Sequence, residues 1–204
     1  MRPLAALVLA ASLAAAGCVT VSEGVDAWGD VGTDSVLVVG KIEIVPPVKP
    51  EEQTYRAGVD VLNVKRHYIS RALLFMSDEP RYQERTGDAL NPPLEQTYFL
   101  KLPRSRRFMV KGSVTMALVA RAVTARQSVI DHTELLFPAP IEFDIRSDDR
   151  AIYVGTLRLH RDEFHEVTRA EIFDQFPTAS AEFAKKFGPG LPLRKALLKP
   201  IRVS

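Results

Sequence analysis

Apolar residues crowd the stretch from Val36 to Val45, and in its second half they alternate with charge. Ile42 and Ile44 fall on one side of an extended chain, Lys41 and Glu43 on the other. A two-residue repeat is the mark of a strand, because successive side chains point to opposite faces. Pro46-Pro47 ends the run, since proline has no N–H to give a ladder. The same criteria predict strands at Tyr98–Leu102, Phe108–Val110, Val114–Val123, Ile141–Ile145, Ile152–Leu159 and Phe164–Phe173. Ile141, Phe143 and Ile145 alternate with Glu142 and Asp144, which gives that strand one apolar and one wet face. Alanines in Val114–Val123 leave a helix open there, and Gly155 marks a bulge in its strand. Pro103 to Arg107, flanked by apolar runs, has the form of a hairpin loop, and Ser147-Asp148-Asp149 that of a turn.

A different period governs the last fifth of the chain. Phe176, Ala179, Phe183 and Phe187 recur on one face of a helix, with Thr178 as its cap and Gly188-Pro189 as its stop. Such a stripe is core chemistry, buried against a neighbour. The whole pattern predicts a mainly β protein, an antiparallel β-sandwich of about seven strands with a C-terminal helix. Residues 59–76 fit strand, helix or both, and 77–93 a long polar loop, so the structure of 57–93 stays open.

The first residues change the picture. Met1-Arg2 is a short positive segment, and Leu4 to Ala16 is an uncharged run of thirteen residues. A bilayer-spanning helix needs about 20. The run has the proportions of a signal-peptide core. Ala15-Ala16-Gly17-Cys18 resembles a bacterial lipobox, with Ala15 where leucine is usual; that resemblance implies cleavage before Cys18 and acylation of its sulfur. Cys18 is the single cysteine, so it has no partner for an internal disulfide. The organisation that follows is a signal peptide over 1–17, a lipidated N-terminus and tether over 18–35, and a β-sandwich domain with its helix over 36–204. Val19 occupies the position where aspartate holds enterobacterial lipoproteins at the inner membrane. The resemblance therefore implies a cell-envelope protein on the outer membrane, facing the periplasm, with the membrane as a partner through its lipid.

Val38-Val39-Gly40-Lys41-Ile42-Glu43-Ile44-Val45-Pro46-Pro47, with Ile152-Tyr153-Val154-Gly155-Thr156-Leu157 and the lipobox, resembles a loose group of uncharacterised bacterial lipoproteins. Their domain looks like a transthyretin or carboxypeptidase-regulatory β-sandwich. The resemblance covers about residues 36–190 and implies a fold without transferring catalytic residues.

Charge narrows the functions. With 27 basic and 25 acidic side chains the net charge is +2, which lacks the basic excess of a nucleic-acid binder. His160-Arg161-Asp162-Glu163-Phe164-His165-Glu166 contains metal-ligand types, but histidines five apart do not share a face and no HExxH spacing is present, so no metal is expected. There is no GxSxG elbow and no phosphate-binding glycine loop, hence no catalytic residues and no cofactor. Asp148-Asp149 and Glu51-Glu52 sit in turn-like stretches and are expected to be solvated. Trp28 is expected to pack locally. Arg104, Arg106, Arg107 and Lys111 form the densest basic group, a candidate binding face for anionic lipid or an acidic envelope partner. The function expected from the sequence is a non-catalytic, lipid-anchored binding or scaffolding module. The alternatives are an outer-membrane assembly component of a secretion machine, such as type VI secretion, and a metal-dependent envelope hydrolase using 160–166.

Overall fold

The structure is a computed structural model that describes residues 20–22, 24–47, 68–79, 88–118, 131–136, 141–162 and 167–201. Its strands are β1 (Thr20–Ser22), β2 (Ser35–Val45), β3 (Tyr68–Ser77), β4 (Asp88–Leu90), β5 (Thr97–Pro103), β6 (Phe108–Leu118), β7 (Asp131–Leu136), β8 (Ile141–Glu142), β9 (Ala151–Arg161), β10 (Val167–Phe173), β11 (Arg194–Lys195) and β12 (Lys199–Pro200). Helix α1 (Phe176–Phe187) lies near the C-terminus. One sheet runs β1-β4-β3-β6-β8-β12, with β7 also paired to β6. The other runs β10-β9-β2-β5, with β11 also on β9.

The two sheets face each other across one apolar core. Val36, Val38, Ile42 and Ile44 of β2 meet Leu74 and Met76 of β3, Leu90 of β4 and Met109 of β6, all nearly inaccessible. The alternation of β2 is therefore read correctly from its sequence. β9 keeps the same face inward only by breaking step. Ile152 and Val154 point into the core, and so do Leu157 and Leu159. The register slips between Val39/Gly40 of β2 and Tyr153/Gly155 of β9, with Gly155 at φ 100° absorbing the extra residue. The bulge at Gly155 is the one the sequence predicts. At Gly40 the reason for glycine is steric. Tyr98 lies opposite it in the ladder, and an added Cβ would fall 2.5 Å from the Tyr98 hydroxyl oxygen. Burial pushes that hydroxyl well above the usual phenol range, with Tyr153 adding to the effect.

A third layer covers the outer face of the five-stranded sheet. Leu37 and Val39 of β2 and Ala151 and Tyr153 of β9 pack against Ala179 and Phe183 of α1, together with Val25 and Val31. Trp28, in a 3-10 turn over Trp28–Val31, meets Phe183 edge-on at 5.9 Å and Phe187 at 6.1 Å. Trp28 is thus a packing residue.

Several expectations are corrected. The sheets are mixed: β2 and β9, at the centre of the five-stranded sheet, are parallel, as are β1–β4 and β9–β11. Twelve strands, not about seven, are found among the described residues, several only two or three residues long. Residues 68–77 are strand, and β4 interrupts the stretch expected as a polar loop. Phe108–Val110 and the first part of Val114–Val123 are one strand, β6; 119–123 lie outside the described residues. Of the strand expected over Phe164–Phe173, residues 164–166 also lie outside them, and β10 accounts for the rest. Pro103–Arg107 is no hairpin. β5 and β6 belong to different sheets, so the segment is an arch from one layer to the other. Residues 24–34, expected as tether, are packed on the fold: Gly24 bridges Leu100, the Val25 N–H donates to the Phe99 carbonyl at 2.9 Å, and Val25 and Val31 are buried. Helix α1 starts at Phe176 rather than at a Thr178 cap, with Pro177 in its first turn, where a missing N–H costs nothing.

Candidate functional site

The basic group at 104–107 sits on the arch. Arg104 donates from Nε to the Thr33 carbonyl at 3.0 Å and from Nη1 to the Ser147 carbonyl at 3.3 Å, so it ties the arch to two neighbouring loops. Arg106 lies 2.9 Å from Asp88 Oδ2 through Nε and 3.3 Å from Asp78 Oδ2 through Nη1. Its charge is countered by two carboxylates that β3 and β4 bring to this end. Arg107 is fixed by its backbone, donating to the Ser77 carbonyl and accepting from the Phe143 N–H, while its side chain is exposed. Lys111 is on β6 opposite Phe75, and its side chain lies outside the description. Two of the three described arginines therefore hold the arch together, and Arg107 is the one that faces solvent.

Where α1 ends its cover, the outer face of the five-stranded sheet carries a charged ladder. Glu43 accepts from Lys41 at 2.8 Å and from both Nε and Nη2 of Arg158, at 3.0 and 2.8 Å. Burial works to raise the Glu43 pKa, but the two cations outweigh it and hold the carboxyl below its usual range. The Arg158 guanidinium also stacks 4.1 Å above the Phe173 ring. Next along, Glu171 contacts both His160, at 2.7 Å, and Arg169.

Between this ladder and the start of α1 lies a groove of about 370 Å³, with Lys41, Gln96 and Thr97 on the sheet side and Gln175, Thr178 and Glu182 on the helix side. Much of its polar lining is already engaged. Gln175 accepts from the Thr156 hydroxyl at 3.0 Å, and its N–H donates to the Tyr153 hydroxyl oxygen at 2.8 Å. Glu95, at φ 61°, accepts the Ile44 N–H at 2.8 Å. These bonds make the groove a polar seam that fixes the start of the helix on the sheet.

Asp149 is the polar group that the sequence misplaces most. Expected as a wet turn residue, it is 5% exposed and is gripped by Arg194, at 2.6 and 2.5 Å, and by the Arg146 N–H at 2.7 Å. Burial pushes its pKa up, yet the Arg194 pair and the backbone bond prevail and hold it below the usual range. Nothing local in Ser147-Asp148-Asp149 reveals Arg194, which lies 45 residues later. In the 160–166 cluster, His160 pairs with Glu171, and Arg161 is buried with its guanidinium on the Pro46 and Pro47 carbonyls. Residues 163–166 lie outside the described residues, as do Cys18, Glu51-Glu52 and the signal segment. Among the described residues no three His, Cys, Asp or Glu side chains are grouped to hold a metal ion, and no helix is long and apolar enough to cross a membrane.

Comparison with protein-family models, with curated proteins and with solved structures finds no match for this chain.

Proposed function

We propose that this is a lipid-anchored envelope protein, held by acyl chains on Cys18, whose β domain acts without catalysis as a binding or scaffolding module. The observation that carries the reading is the thirteen-residue apolar run Leu4 to Ala16, too short for a span and leading through Gly17 into Cys18, the chain's single cysteine. The polar chemistry beyond it supports a structural module. Glu43, Asp149 and Asp174 are each engaged by a cation, in pairs that tie strand to strand or loop to strand, and Glu171 of β10 is bonded to His160 of β9. One acyl chain gives only marginal binding, so a stable anchor here uses several chains on one cysteine. Orientation toward the periplasm from the outer membrane, from Val19 after Cys18, belongs to the same proposal.

The test is metabolic labelling with a clickable fatty acid. Wild type takes up label that survives denaturing electrophoresis, and Cys18→Ser does not. Equal label in the two proteins ends the lipoprotein reading.

A further inference from the structure

The lipid reading says what is anchored but not which way the domain stands. Strand register answers that. β1 runs parallel to β4, with Thr20 beside Asp88, the first residue of β4. β3 is antiparallel to β4 and ends at Ser77, next to Asp88's partner Met76. Ser77 in turn stands beside Phe108, where β6 begins just after the arch. β1 thus begins at the end of the seven-stranded sheet that bears Asp78, Asp88 and the 104–107 arch. Cys18 stands two positions ahead of Thr20, with Val19 alone between them, and that length of chain reaches at most about 7 Å. From Thr20 to Phe108 is three strand spacings, about 14 Å across the sheet. The opposite end of the fold, where β5 begins at Thr97, is a whole strand away, about 20 Å for seven extended residues. A tether of about 7 Å does not bridge that distance.

Resting on the reading of Cys18 as the acylated residue, we propose that the end of the sandwich carrying the 104–107 arch is set against the lipid headgroups, with Arg107 as its exposed cation. The opposite end, with Pro46-Pro47 and the loop through Glu95 and Gln96, then points away from the bilayer. Arg106 contributes little charge to the lipid contact, because Asp78 and Asp88 already face it. The short tether, rather than an excess of positive charge, sets the orientation.

The experiment uses the full-length acylated protein, purified in detergent and returned to phosphatidylethanolamine–phosphatidylglycerol vesicles in which some lipid carries a headgroup nitroxide. Ser105→Cys and Gln96→Cys place one accessible thiol at each end; both positions are exposed. Each is labelled with a maleimide fluorophore, which the nitroxide quenches only when it lies close to the headgroups. Strong quenching at residue 105 and little at 96 is the expected result. Equal quenching at both, or stronger quenching at 96, overturns the orientation while Cys18 stays acylated. Maleimide labelling of the denatured wild-type chain separates the two ideas. A reactive Cys18 thiol there means that it is not acylated, and both the anchor and the orientation fall.

Discussion

Arg106 and Arg107 are neighbours in the chain and opposites in the fold. Arg106 is held between Asp78 and Asp88, whereas Arg107 turns its side chain to water. Arg106→Glu would gather three carboxylates at one point and should lower stability by about 1–2 kcal/mol, more than the loss of an ordinary surface pair because Arg106 and Asp88 are half-buried, although Asp78 is exposed. Arg107→Glu should change it by no more than about 0.5 kcal/mol. Urea titration of each variant beside wild type checks this, and equal effects would mean that the ion pairs at Arg106 do not stabilise the arch. The sequence shows four cations within eight residues, and that much was legible. Which of them meets a carboxylate was not, because Asp78 and Asp88 reach the arch only through the pairing of β3 with β4 and β6. The same limit hid Asp149: its short-range neighbours are those of a solvated turn, and only the distant Arg194 makes its burial tolerable.

Local pattern served the elements better than their partnerships. The apolar stripe of α1 was visible from residue spacing, and so was its stop. Its first turn was not, because Thr178 offers a capping hydroxyl while Pro177 is equally at home just before a helix or just inside one. The strand at 36–45 and the bulge at Gly155 were likewise legible. The arch at 103–107 was not, because a polar loop between two apolar runs joins strands of one sheet or of two with the same local chemistry. The docking of α1 can be tested at Phe183, which is 2% exposed and surrounded by Trp28, Phe187 and the sheet. Phe183→Ala should cost about 3–5 kcal/mol, the range for a large aromatic removed from a packed core. Trp28 is the chain's single tryptophan, so its fluorescence reports directly on this layer. Loss of the helix layer should appear as a red-shifted Trp28 emission at lower urea than in wild type. An unshifted midpoint would mean that α1 contributes no packing energy.

Across the whole molecule, Glu43, Asp149, Glu171 and Asp174 are held below their usual carboxylate ranges. At Glu43, Asp149 and Glu171 burial opposes the shift and their hydrogen-bonding partners overcome it, while at Asp174 the Lys195 hydrogen bond leads. A carboxyl whose folded pKa is depressed adds stability that is complete above its unfolded value of about 4 and is lost as pH falls through the folded value. The urea midpoint should therefore be nearly flat from about pH 7 to 5 and fall steadily below about 4. Asp149→Asn should lower the plateau and make the acid slope shallower; an unchanged slope would show that Asp149 does not carry this linkage. Two sheets and a C-terminal helix were within reach of the sequence, whereas their wiring was not, since hydrophobic alternation is blind to which strand lies alongside. That wiring also sets a schedule. The central parallel pair joins residues as far apart as Glu43 and Arg158, separated by 115 positions. β2 precedes β9 by more than a hundred residues, so it stays without its central partner until the late part of the domain has joined it. Long-range pairing of this kind slows folding, because the loop must close before any contact rewards it.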